Sequence, residues 1–164
     1  MKKIFTHFAT VITAALVLSL TGCLTIPQTI QYGEEGNDTI ALNLTKDPNV
    51  GNVYVTHVNG VATGAAYSPS FLGFGGKEVN VNPIYVKLTK DPIIFTIKCP
   101  VATGRTTSRG AVEVTYKSTE LRLTKLSDLK PGDVLTLRWM YQTNTFAFID
   151  ATGNIVQQTI PTFN

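Results

Sequence analysis

From residue 23 onward the chain carries a single histidine, His57, and one cysteine besides Cys23, namely Cys99. A Ser-His-Asp hydrolase would have to be built on His57 as its base. No Gly-x-Ser-x-Gly elbow is present to supply the serine. In Val53-Tyr54-Val55-Thr56-His57-Val58 the alternation places His57 on the face of Val53 and Val55, which reads as a histidine at the edge of a core. Cys99 could play a reactive, redox or intermolecular part. Its run, Ile93-Ile94-Phe95-Thr96-Ile97-Lys98-Cys99, instead puts it on the face of Ile93, Phe95 and Ile97, where a cysteine packs as a small hydrophobe. One histidine and Cys99 fall short of the usual zinc ligand sets, and no Asp-x-Asp-x-Asp calcium loop occurs. A glycosidase needs two carboxyl groups flanking the scissile bond. The acids here lie in expected turns (Asp47, Asp91, Asp128, Asp133, Asp150) or on polar strand faces (Glu113, Glu120), as solvated surface charges do. The expectation is a protein that is not an enzyme and that holds no metal or cofactor.

Two loops could bind. Ser68-Pro69-Ser70-Phe71-Leu72-Gly73-Phe74-Gly75-Gly76-Lys77 is Gly-rich, but it lacks the Gly-Lys-Ser/Thr ending and following helix of a phosphate loop. Its Phe71, Leu72 and Phe74 could dock onto a partner or lipid, or fold back and plug one end of the domain. Thr103 to Gly110 carries Arg105 and Arg109, which could clamp a carboxylate or phosphate or simply aid solubility.

The first 23 residues carry a sharper signal. Lys2 and Lys3 make a basic start, Phe8 to Leu20 a short apolar run, and Leu20-Thr21-Gly22-Cys23 its end. The run is too short, and wrongly flanked, for a lasting membrane span. It resembles the signal peptide and lipobox of bacterial lipoproteins. The resemblance implies that Cys23 takes a diacylglyceryl group, that cleavage falls just before it, and that the new amine is acylated. It also implies outer-membrane anchoring facing the periplasm, because Leu24 rather than Asp follows the cysteine. The cell surface and the inner membrane are the alternatives. Residues 1–22 are then the signal, 23–38 a lipidated tether and 39–164 one β domain, although Thr25 to Gln31 could instead add an edge strand. With Cys23 lipidated, Cys99 has no intrachain partner. The chain has 14 basic and 11 acidic residues. Without Lys2 and Lys3 the balance is near neutral, which leaves no electrostatic footprint for nucleic acid.

The positioning elements read as strands. Short runs alternate apolar and polar and are separated by Gly, Pro, Asn and Asp. Asn59-Gly60 is a hairpin turn signal, and Lys90-Asp91-Pro92 and Pro131-Gly132-Asp133 are further turns. Val112, Val114 and Tyr116 share one face, and Leu135, Leu137, Trp139 and Tyr141 another. The pattern predicts an all-β, antiparallel β-sandwich of about eight to ten short strands, with a small β-barrel as the alternative. Leu44-Thr45-Lys46-Asp47-Pro48 recurs as Leu88 to Pro92, and Val-Ala-Thr-Gly occurs at 61–64 and 101–104. A third Leu-Thr-Lys stands at 123–125. These echoes suggest internal strand–turn–strand repeats, or the common reuse of turn chemistry.

The resulting expectation is a membrane-anchored envelope lipoprotein with a structural or protein-interaction role and a possible envelope protein partner. The alternative is a small-ligand or glycan-binding module, with Trp139, Tyr141 and Arg138 as a stacking platform. An exposed Trp139 would favour the second and a buried Trp139 the first.

Overall fold

The computed structural model describes residues 28–47, 51–65, 79–108, 110, 112–140 and 143–163. Among them are twelve strands and no helix. These are β1 Gln28–Tyr32, β2 Thr39–Leu44, β3 Lys46–Asp47, β4 Gly51–Asn52, β5 Tyr54–Val58 and β6 Val61–Ala62. The remainder are β7 Val79–Lys87, β8 Ile93–Thr106, β9 Val112–Leu123, β10 Val134–Met140, β11 Thr145–Ile149 and β12 Ile155–Thr159. Six strands form one sheet in the order β1-β7-β2-β10-β11-β12, four form a second in the order β6-β5-β8-β9, and β3-β4 is a small ribbon. The two large sheets face each other across one core, so the fold is the expected β-sandwich. Neither sheet closes into a barrel, since each ends on two edge strands.

Alternation makes the core. Ile40 and Leu42 of β2, Ile84 and Val86 of β7, Leu135, Leu137 and Trp139 of β10, and Phe146 and Phe148 of β11 are buried from one side. Val55, Val58, Ile93, Phe95, Ile97, Cys99, Leu121 and Leu123 are buried from the other. Each fully buried large aliphatic or aromatic side chain is worth about 1.5–3 kcal/mol relative to exposure. Phe95 and Phe148 meet across the gap at 6.0 Å between ring centres.

Two pairings were not legible in the strand patterns. β1 runs parallel to β7, and β2 parallel to β10. A parallel pair needs a long crossover, and between β2 and β10 the chain builds the whole second sheet. β1, Gln28–Tyr32, lies within the stretch read as a tether and is an edge strand of the six-stranded sheet. The β2–β7 ladder ends at Leu42↔Ile84. Beyond it the Asn82 side-chain oxygen accepts the Leu44 N–H at 3.2 Å and takes the place of a main-chain partner.

His57 departs from the expected face. The β5–β8 register runs Val55↔Ile97, then His57↔Thr96 and Val58↔Phe95, with a bulge between. A bulge inserts one residue and reverses the alternation. Val58 therefore enters the core, and His57 turns out beside Thr56, its Nδ1 3.1 Å from that hydroxyl.

The echoed segments differ in structure. Lys46–Asp47 is strand β3, whereas Lys90 and Asp91 form the bend before β8. Val61–Ala62 is β6, whereas 101–104 lies inside β8. Shared sequence here is not shared geometry.

Two edge strands from opposite sheets, β12 and β9, are stitched by one amide. Gln157 Nε2 donates to the Arg122 carbonyl, and its Oε1 accepts the Thr124 N–H at 2.8 Å, the Lys125 N–H at 3.3 Å and the Thr124 hydroxyl at 3.1 Å. The C-terminal segment then crosses the same opening. Thr119 Oγ1 donates to the Thr162 carbonyl at 2.8 Å, Pro161 is buried, and Phe163 meets Trp139 edge-on at 6.0 Å.

Candidate functional site

The ladder registers give the sandwich two distinct ends. Gln28 pairs with Val79, Trp139 lies two residues beyond the Leu137↔Leu44 pair, and Trp139 Nε1 donates to the Pro100 carbonyl at 3.1 Å. These residues mark one end, where β1 begins. At the other end β1 finishes at Tyr32, β7 at Lys87 and β5 at Val58.

A groove of about 550 Å³ opens at that second end, where β1 and β7 of one sheet part from β5 and β6 of the other. Val58 and Val86 line its buried part, Tyr32 is half-buried beside them, and Glu34, Val61 and Lys87 stand on its rim. Val61 is 60% exposed. Lys87 Nζ lies 2.6 Å from Asp38 Oδ2. The hydrogen bond and charge of Asp38 raise the Lys87 pKa above the ordinary lysine value, and the rim thus carries a Lys87–Asp38 ion pair together with Glu34.

Local backbone chemistry shapes the groove. Asn59 and Gly60 both take positive φ, 49° and 79°, as a tight hairpin turn requires. The Asn59 side chain ties that turn to β8, because its Oδ1 accepts the Ile94 N–H at 2.8 Å. Gly33 sits at φ 72°, and a Cβ there would overlap the Tyr85 carbonyl oxygen. Gly33→Ala is therefore expected to cost about 2 kcal/mol, from the left-handed backbone and the clash together. Gly60→Ala, also at positive φ but with nothing within 4 Å of its Cβ, should cost about 1 kcal/mol. Urea unfolding of the two variants measures the difference, and equal losses would mean that the backbone clash at Gly33 is relieved.

A second, polar groove of about 400 Å³ lies between Glu120, Arg122 and Thr159. Its central side chain, Gln157, is already committed to the bonds that join the sheets. The groove near Tyr32 and Val61 combines an apolar floor with both signs of charge at its rim. That arrangement suits contact with a partner surface.

The residues singled out from the sequence are dispersed. Arg105 is exposed on the outer half of the β8–β9 hairpin, far along the chain fold from the groove. Cys23, Phe71, Phe74, Arg109 and Tyr141 lie outside the described residues. Trp139 is buried, stacked at 4.4 Å on Phe146, while Arg138 points to the other, exposed face. Cys99 is fully buried, and desolvation pushes its thiol up to about 12. Asp150 closes its turn. Its Oδ1 accepts from the Thr152 hydroxyl at 2.7 Å and from the Thr152 and Asn154 N–H groups, which holds the carboxyl below the usual aspartate value. Among the described residues no three His, Cys, Asp or Glu side chains gather in a metal-binding group. The groove itself went unseen in the sequence, apart from the Asn59-Gly60 turn at its rim, because Tyr32, Val61 and Lys87 meet only through the non-local β1–β7 pairing and the packing of one sheet on the other.

No family model, curated protein or solved structure matches the chain.

Proposed function

We propose that the protein is a bacterial envelope lipoprotein, anchored in the outer membrane through acyl chains on Cys23, that presents the far end of its sandwich to a partner protein and has no catalysis of its own. The reading rests on the polarity of the fold. β1 begins five residues after Cys23, at the end of the sandwich opposite the Tyr32–Val61 groove. A lipid at Cys23 would thus leave the groove facing away from the membrane. Val134 and Ile155, exposed at that same far end, add apolar contact area. Acylation with two or more chains gives stable anchoring, at about 0.8 kcal/mol for each buried CH₂. The burial of Trp139 favours this reading over the glycan-binding one, for which an exposed Trp139 was expected.

The test is photo-cross-linking in intact cells, with a photoreactive amino acid at Val61 and, separately, at Ile155. The expected result is a discrete protein adduct from Val61 that disappears in the Cys23→Ala background, together with the mass of an acylated Cys23 in the mature protein. An unmodified Cys23 would overturn the anchor. A Val61 probe without any adduct in anchored protein would overturn the partner surface.

A further inference from the structure

We infer that the outer half of the β8–β9 hairpin is a membrane-contacting arm, which rests on the same lipid surface that holds Cys23. This inference depends on the lipidation of Cys23 argued above. The hairpin is longer than the sheet that supports it. β5 pairs with β8 only as far as Tyr54↔Lys98, while the β8–β9 ladder continues through Pro100↔Tyr116 and Ala102↔Val114 to Thr106↔Val112. From Ala102 to Thr106 and from Val112 to Thr115 the described residues are exposed.

The arm leaves the sandwich at Pro100, whose carbonyl is bound by Trp139. That is the end at which β1 begins, so the arm projects from the end of the sandwich where Gln28 stands. The arm and the stretch from Cys23 to Gln28 have comparable lengths. Gln28 follows Cys23 by five positions, a reach of at most roughly 18 Å. β8 bulges between Ala102 and Thr106, so the arm's length follows from β9, where Tyr116 to Val112 is four steps, about 13 Å at strand rise. An acyl-anchored Cys23 therefore holds the lipid surface at a distance comparable with the arm's length.

The arm's chemistry suits an interface of lipid headgroups and acyl chains. Val112 and Val114 lie on one face, 61% and 39% exposed. The described charges of the arm are Arg105 and Glu113, and Lys117 follows at its base on the alternate face. Glu113 is engaged within the arm, its Oε2 accepting from the Thr103 hydroxyl at 3.1 Å. Apolar side chains flanked by basic ones bind anionic bilayer surfaces by burial and charge together.

The experiment uses the full-length, lipidated protein in vesicles of zwitterionic and anionic phospholipid. A polarity-sensitive dye is attached at Val112→Cys, at Val114→Cys, and at Ile155→Cys as a control. Ile155 is comparably exposed, at 54%, and stands at the opposite end of the fold. The buried Cys99 does not compete for the dye. The expected result is blue-shifted emission at positions 112 and 114, with quenching by a lipid-borne quencher several-fold stronger than at position 155. Equal, solvent-like signals at all three positions in protein whose Cys23 carries lipid by mass would overturn the arm contact while leaving the anchor intact. Protein without lipid at Cys23 would overturn both.

Discussion

Replacing Trp139 by alanine is expected to destabilise the domain by about 3–5 kcal/mol, the range for large aromatic deletions in a packed core. That is a large part of the roughly 5–15 kcal/mol that holds a typical domain together. The indole is 7% exposed, stacks on Phe146 at 4.4 Å, meets Phe163 edge-on at 6.0 Å, and donates to the Pro100 carbonyl at 3.1 Å. It ties together the six-stranded sheet, the base of the long hairpin and the C-terminal segment. Trp139→Phe keeps most of the apolar area but leaves that carbonyl without its donor, and should lose about 1–2 kcal/mol. Urea unfolding followed by circular dichroism separates the two variants. A loss under about 1 kcal/mol for Trp139→Ala would mean that the indole is not closing this end of the core.

The second large effect concerns Cys99. In the folded protein its thiol is pushed from 9.0 to about 12 by desolvation, because the thiolate would sit among Ile93, Phe95 and Ile97 without water. At pH 8 the thiolate population falls by about 10³ relative to the unfolded chain, and the thiolate is the reactive form. Alkylation of Cys99 by iodoacetamide should slow by at least that factor in the native state and recover in urea, as mass spectrometry of the Cys23→Ala form would show. Comparable native and denatured rates would mean that Cys99 is accessible. The linked effect on stability has a definite sign. The raised folded pKa favours folding fully below pH 9, where the thiol is neutral in both states. Between about pH 9 and 12 the unfolded chain releases the proton and the folded one does not, so stability falls as pH rises.

Several features follow from local pattern. The run Ile93, Phe95, Ile97, Cys99 alternates without interruption and is buried throughout. Leu135, Leu137 and Trp139 behave alike. Asn59-Gly60 predicted its hairpin because few dipeptides take two positive φ angles at small cost. His57 is the instructive exception. Nothing in Val-Tyr-Val-Thr-His-Val marks a bulge, yet one extra residue against Ile97 and Thr96 exchanges the faces of His57 and Val58. Val112 and Val114 alternate as core valines do, but they stand where β8 and β9 have outrun the opposing sheet.

The same division governs the candidate sites. The amino-acid sequence by itself determined the all-β character, the inward face of the regular core strands and the main turns, and it carries the Leu20-Thr21-Gly22-Cys23 ending that resembles a lipobox, all of which arise within a few consecutive residues. Tertiary structure alone decided that β1 and β7 run parallel, that a groove opens between Tyr32 and Val61, and that the long hairpin leaves the sandwich at the end where the chain enters it. Those outcomes depend on which distant edges pair and on where one strand outlasts its neighbour. Alternation records which face of a strand is apolar, but carries no record of the strand placed beside it.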